Sequence, residues 1–307
     1  MMYNKDLKLR YIKEKNEAAT LPNHYLECQF NKIGKFEEEL DKDVHDFTVY
    51  EIMEYYKILN ISSLEVLAVL NSHLSLYTQW CLQENLVTDN QNHFLEIQLE
   101  QLKNCLNKVM LDKKIATRNQ IIEWCEQLPN PRDQVIMLGL FEGLKGKDFS
   151  DLVNLRPEDV NENKLKLIDG REILVSNELI KYINDSIEEN TYYSSSGNQE
   201  KTMPLIYKGY VIKDYPNTKE GTSAFAKGRI IYNSIARSLK FVGALNYMSA
   251  NSIYESGKIW MIKKRAADLG ISTKDYVYSD HIREVEYHFG CRIVRSVFWL
   301  KYEDHLI

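Results

Sequence analysis

Asn130-Pro131-Arg132-Asp133 opens a stretch that closes at Ser176, and the fold is read outward from it. An apolar helix runs through Val135, Leu138 and Phe141. Then come Gly143-Leu144-Lys145-Gly146-Lys147-Asp148-Phe149-Ser150-Asp151-Leu152-Val153-Asn154-Leu155, the link Arg156-Pro157-Glu158-Asp159-Val160, and Lys164-Leu165-Lys166-Leu167-Ile168-Asp169-Gly170-Arg171-Glu172-Ile173-Leu174-Val175. Pro131 falls in the first helical turn, where its missing N–H costs least, with Asn130 as cap. Asp169-Gly170 between two short apolar strands predicts a two-residue hairpin turn whose central positions both take positive φ. Ser176 caps a further helix through Leu179, Ile183 and Ile187.

Toward the N-terminus, helix starts are marked by side chains that satisfy free backbone N–H groups. Thr48 with Glu51, Ser62-Ser63-Leu64-Glu65, and Thr117 with Gln120 are capping boxes, each followed by apolar residues at helical spacing. Phe94 to Met110 reads as one more amphipathic helix, and Met110 to Ala116 as a linker. Residues 1–45 begin with Lys5, Lys8, Arg10, Lys13 and Lys15 and turn acidic at Glu37-Glu38-Glu39, which reads as a solvated helix and an acidic loop. On the C-terminal side, residues 189–204, with Tyr192-Tyr193-Ser194-Ser195-Ser196-Gly197, read as a polar loop. Leu205 to Ile212 reads as a strand pair or a bulged strand.

A chain of 307 residues is long enough for two cores. The expected division is 1–112, all helical, and 113–307, helical with a small β-hairpin or sheet. The charged opening is no signal peptide, and no run of about 18 apolar residues spans a membrane. Five scattered cysteines without CxxC spacing read as reduced thiols in a cytoplasm, with no zinc site. The histidines lack metal-ligand spacing, and Gly143 to Lys147 lacks the phosphate-binding loop's spacing, so neither metal nor cofactor is expected. A net charge of -5 gives no global case for a polyanion. Locally the sign reverses: from Lys227 to Arg265 lie Lys227, Arg229, Arg237, Lys240, Lys258, Lys263, Lys264 and Arg265 against the single acid Glu255. Such a stretch suits a duplex, because each phosphate neutralised releases counterions; the plainer reading is a solvated face on two helices.

The order of helix, Gly-Leu, short helix ending Leu152-x-x-Leu155, hairpin with a basic arm and Ser-capped helix resembles the catalytic domain of tyrosine recombinases, the phage integrases. The helices before it resemble their core-binding domain. The resemblance covers Asp46 to the end at the level of pattern. It implies a two-domain recombinase-like architecture and places the family's catalytic positions. Lys145 stands after Gly-Leu where the first arginine belongs, and Asp148 takes that place if the count runs back from Leu155. Asn251 and Tyr254 stand at the His-x-x-Arg positions, before Ser256-Gly257. Cys291, in Phe289-Gly290-Cys291, replaces the second His or Trp. Tyr302 is nearest to the nucleophile's place, with Tyr287 less well positioned, although one of twenty tyrosines would fall there by chance. Without two arginines to meet the charge gained in the transition state, strand exchange loses its chemistry. More narrowly, the chain resembles the MrpR-type master lysogeny repressors of SPβ-like Bacillus phages, which bind DNA without recombining it.

The resemblance therefore implies a cytoplasmic, nucleoid-associated repressor that holds operator duplexes in a phage-bearing bacterial host. Its phosphate contacts would be Lys145, Lys147, Arg171, Lys227, Arg229, Arg237, Lys258, Lys263, Lys264 and Arg265, with Lys113 and Lys114 tracking the backbone from the linker. A regulatory protein or self-association would be its protein partners. Three other readings stay open: a divergent working recombinase using Tyr302, a helix-turn-helix around Lys264 to Ser272, and an interaction scaffold without nucleic acid.

Overall fold

The computed structural model describes residues 1–17, 23–196, 199–216, 218 and 222–307. The chain forms two compact units, Met1–Leu111 and Asp112–Ile307.

The first unit is all helical: α1 (Lys5–Glu17), α2 (Asn23–Leu40), α3 (Val49–Ile58), α4 (Leu64–Gln83) and α5 (Leu99–Asn104), with short 3-10 turns at Val44–Asp46 and His93–Glu96. The capping box at Thr48 forms as read. Its hydroxyl accepts from the Glu51 N–H at 3.4 Å, and the Glu51 carboxylate accepts from the Thr48 N–H at 2.7 Å. Phe94 to Met110 is not one helix. The Gln101 side chain accepts the Gln98 N–H at 2.8 Å and starts α5 afresh. Asn107 then accepts the Met110 N–H at 2.9 Å and starts α6 (Lys108–Asp112). Two capping side chains inside an amphipathic run thus divide it.

Tyr11, Phe30, Tyr77 and Trp80 form the aromatic heart of this unit, with ring centroids 4.9 to 5.4 Å apart for the nearest pairs. The acidic loop expected at Glu37-Glu38-Glu39 is the last turn of α2, and Lys8 and Glu37 are fully buried. The Lys8 ammonium sits 2.5 Å from Glu37 and 3.3 Å from Asp43, and His45 lies 2.8 Å from Asp43. One Glu37 oxygen receives the Lys8 ammonium and the Val44 N–H; the other finds no donor among the described residues. Burial accordingly pushes the Glu37 carboxyl up to about 7, with Lys8 opposing. For His45, burial works against the charged ring, yet the Asp43 carboxylate prevails and holds it up at about 10.

Both raised groups bind protons more tightly folded than unfolded. Glu37's share of stability is lost as pH rises through about 7, and His45's as pH rises from its unfolded value through about 10. The first unit is therefore expected to weaken from about pH 4.5 to 10, through Glu37 up to about 7 and through His45 beyond it, by up to ~1.4 kcal/mol per pH unit for each group while it is the one releasing its proton. Urea melts followed at Trp80, the one of the chain's four tryptophans that lies in this unit, check this. A flat profile would mean that the cluster does not govern the unit's stability.

The second unit is built around α8 (Pro131–Phe141), whose residues from Val135 to Phe141 are all buried. A helix apolar on every side belongs in the middle of a fold. Against it pack α7 (Arg118–Gln127), α10 (Asn177–Glu188), α11 (Ala224–Phe241) and α12 (Ala250–Leu269). The short α9 (Ser150–Val153) leads to an antiparallel sheet of β1 (Val160–Asn161), β2 (Lys164–Lys166) and β3 (Glu172–Leu174). The chain closes with α13 (Thr273–Tyr278), α14 (Ile282–Phe289) and α15 (Arg295–Leu306).

Three local expectations are corrected. The β2–β3 turn has positive φ at Gly170 but not at Asp169. Gly170 N–H donates to the Leu167 carbonyl at 2.9 Å and Leu167 N–H to Arg171 at 2.8 Å, so the loop has three residues with glycine in the left-handed place. Residues 189–204 form a hairpin of β4 (Thr191–Ser196) and β5 (Gln199–Pro204); Gly197 lies outside the described residues. Its polar sequence hides the reason: the Tyr192 hydroxyl donates to buried Asp133 at 2.8 Å, and Asn130 pairs with the Tyr193 backbone as a neighbouring strand would. Leu205 to Ile212 forms no strand pair, only a bridge between Ile206 and Asp214.

Candidate nucleic-acid interface

The close crossing of α8 and α12 sets the geometry here. At Gly257 an added Cβ would collide with the Phe141 carbonyl and lie 2.7 Å from its carbon, so only glycine lets the two backbones meet. Just past Phe141 the chain turns at Gly143, φ +99, and presents Lys145 to the start of α12. The Lys145 ammonium donates to Asn251 Oδ1 at 2.8 Å and stands 4.7 Å from the centre of the Tyr254 ring. Lys258, one turn further along α12, places its ammonium 5.2 Å from the same ring and 2.8 Å from Glu255. The Tyr254 hydroxyl donates to the Phe289 carbonyl, and Cys291 borders it. Lys145, Asn251, Tyr254 and Cys291, far apart in sequence, thus meet in one cluster, joined by Lys258.

Burial pulls the Lys145 ammonium below its usual range, Glu255 opposing and Lys258 adding to the fall. Burial likewise pushes the Cys291 thiol up, which keeps it protonated and unreactive. Tyr302 is not at the surface of this cluster. It is 2% exposed and packs edge-on against Phe298 at 5.0 Å between centroids.

The remaining cations fall into four settings. Arg171 is turned inward. Its guanidinium donates to Asp169 at 2.6 Å, to Asp151 at 3.0 Å and to the Tyr287 and His288 carbonyls at 3.3 and 2.8 Å, filling space that a Cβ at Gly290 would take. The expected phosphate contact at Arg171 meets this geometry: the side chain ties the β2–β3 loop to the end of α14 and has little left to offer outside. A second group forms where Gly228 of α11 abuts the Asp148 backbone, a Cβ there lying 3.2 Å from its carbonyl carbon. That contact gathers Lys147, Lys227 and Arg229; Lys147 and Arg229 are exposed, and Lys227 lies 4.7 Å over Tyr210. Four others are tied locally. Arg237 donates to the Tyr215 hydroxyl at 2.9 Å, Lys263 to the His305 carbonyl at 3.0 Å, Lys264 lies 5.3 Å over Trp260, and Arg265 pairs with Glu284 at 2.6 Å. Lys113 is exposed and Lys114 half-buried in the turn after α6. Lysine and arginine at these places are therefore unequal, and the sequence alone ranks none of them.

The helix-turn-helix reading fails on length. Gly270, φ +65, and the Ser272 cap do make the turn, but α13 spans six residues and buries Tyr276 and Val277. Too little of it is left to enter a groove. Arg132, at the start of α8, is a cation of a different kind. It is 1% exposed, bonded to Ser234 and the Lys213 carbonyl, and 4.8 Å over Tyr215. Nothing in its sequence neighbourhood distinguishes it from a surface arginine.

Residues 115–304 match the family model described as MrpR, C-terminal catalytic domain, and residues 2–83 match MrpR, N-terminal core-binding domain. The chain belongs to the MrpR family. It is similar to the SPbeta prophage-derived uncharacterized protein YopR of Bacillus subtilis (strain 168), 26% identical over 283 residues, 88% of this chain and 84% of that one. Solved structures similar to it include a lambda integrase(75-356) dimer bound to a COC' core site, with a TM-score of 0.48, 14% identity, and coverage of 98% of this chain and 95% of that one. A Tn1549 transposon integrase in complex with circular intermediate DNA gives 0.45, 14%, 98% and 95%. The chain is thus a helical unit matching the core-binding model followed by a mainly helical unit with small antiparallel sheets matching the catalytic-domain model. Among the described residues, no helix is long and apolar enough to cross a membrane.

Proposed function

We propose that this MrpR-family chain is a sequence-specific DNA-binding repressor maintaining phage lysogeny, built on a recombinase scaffold that no longer cuts its DNA. The observation that carries the reading is the cluster at Lys145. Two ammonium groups and an amide converge there, the composition of a phosphate grip. The residue at the second arginine's place is a tyrosine whose hydroxyl is spent on the Phe289 carbonyl. Cleavage needs donors that strengthen as the phosphorane gains charge, and lysines tied to Asn251 and Glu255 supply holding without that preorganisation. A nucleophile would also have to leave its packing, since Tyr302 is 2% exposed. Lys147, Lys227 and Arg229 would extend the grip along the backbone. The other cations, Lys113, Lys114, Arg171, Arg237, Lys263, Lys264 and Arg265, come second because most of them are already tied down.

The test uses the full chain with duplexes drawn from phage regulatory DNA. Site-specific retardation at physiological salt is expected, and Lys145→Ala should weaken it about tenfold, roughly 1.4 kcal/mol. A nicked suicide substrate should leave no covalent adduct. An adduct that disappears in Tyr302→Phe would replace this reading with that of a working recombinase, and absence of retardation of any duplex would remove DNA altogether.

A further inference from the structure

Asn251, Tyr254, Glu255 and Lys258 lie at i, i+3, i+4 and i+7 along α12, and so share one face of the helix. That face meets Lys145. The Tyr254 ring has the ammoniums of Lys145 and Lys258 at 4.7 and 5.2 Å from its centre, and Lys258 is near enough for its charge to be felt at Lys145. Yet the site already contains an anion: the Glu255 carboxylate is 2.8 Å from the Lys258 ammonium, with the lysine side chain 9% and the glutamate side chain 26% exposed. In a chain that grips backbone phosphate this acid stands where negative charge is least welcome.

We infer that Glu255 is a built-in competitor for DNA phosphate, occupying Lys258 until a duplex displaces it. The inference rests on the proposed DNA binding and adds its regulation at the same site. Lys258 is the more buried partner and cannot turn to water for replacement bonds, so in the free protein it keeps Glu255. Glu255 is the more exposed, and its swing outward returns its carboxylate to solvent, where hydration compensates it. The exchange of one anion for another therefore costs little when a phosphate arrives. It still weakens the grip relative to an empty pair of lysines. Because phosphate contacts carry no sequence information, the weakening applies to every duplex alike. Contacts elsewhere must then make up the difference, so backbone affinity alone does not hold the protein on arbitrary DNA.

Glu255→Gln keeps the shape and removes the charge. The full-length variant should bind a short mixed-sequence duplex about tenfold more tightly than the unmodified chain. The gain should be the same for an operator duplex, and it should vanish in the Lys258→Ala background. Equal or weaker binding by Glu255→Gln, with unchanged circular dichroism, overturns the inference, because a glutamate that merely orders Lys258 would help binding. If neither chain retards any duplex, the DNA reading itself falls, and inorganic sulfate decides the competitor. A lower half-saturating sulfate concentration in thermal shifts of Glu255→Gln, absent in the Lys258→Ala background, upholds it. An unchanged value sinks it.

Discussion

A Lys8→Met chain is expected to lose about 3 kcal/mol in its N-terminal unit, enough to leave that unit only marginally folded. Lys8 is wholly buried, with Glu37 and Asp43 as its charged partners and the Phe30 and Tyr77 rings at 5.5 and 6.0 Å from its ammonium. Methionine fills the same volume without the charge, and so leaves two carboxylates in a dry site. Removing one member of a buried pair costs about 3 to 5 kcal/mol, and the low end applies here because Glu37, already raised to about 7, can take up a proton. His45 remains to balance Asp43 at 2.8 Å. Two consequences separate this account from simple loss of packing. The deficit should shrink at pH 5, where Glu37 is neutral, and Glu37→Gln should restore part of it in the Lys8→Met background. Denaturant melts read at Trp80 measure both. A deficit independent of pH would mean that the aliphatic stem, and not the charge, holds the unit together.

That cluster also marks the limit of reading this chain from sequence. The caps at Thr48, Thr117 and Ser176 are legible because donor and acceptor lie within three residues of each other, while the box read over Ser62 to Glu65 is off by one, Ser63 being the cap that accepts from the Val66 N–H. The Gly143-Leu144 turn and the Ser256-Gly257 pair are marked by the resemblance alone, and the structure supplies the reason: Gly143 has φ +99, and a Cβ on Gly257 would strike the Phe141 carbonyl. Lys8 is different. It sits in a basic run that looks solvated, and its partner Glu37 is 29 residues away. The same holds for Arg171, whose partners at Tyr287 and His288 are more than 100 residues distant and turn an apparent phosphate contact into an internal brace. The β4–β5 hairpin escaped because its stabilising residue, Asn130, belongs to the start of α8. Side-chain type sets what a residue can bond to. Which bonds form is settled by pairs that no local window contains.

Gly257→Ala is expected to cost the C-terminal unit roughly 3 kcal/mol or more, at or beyond the upper end of ordinary overpacking. The added methyl would collide with the Phe141 carbonyl oxygen and lie 2.7 Å from its carbon and 3.2 Å from its Cα. All three atoms are backbone of the central helix, so no side chain can rotate away, and α8 and α12 must part. Gly139, on α8 itself, supplies the control. A Cβ there meets the ends of Leu144 and Leu152 at 3.0 and 3.2 Å, flexible side chains that can yield, so Gly139→Ala should cost far less. The separation has a second effect. Lys145 hangs from the end of α8 and Asn251 from the start of α12, and their 2.8 Å bond spans the same crossing. Any Gly257→Ala protein that still folds should therefore bind duplex more weakly than its loss of folded fraction accounts for. Thermal melts combined with titration of the folded fraction test both halves. A melting temperature equal to that of the unmodified chain would show that the two helices have room to slide, and that the crossing does not fix the Lys145–Asn251 cluster.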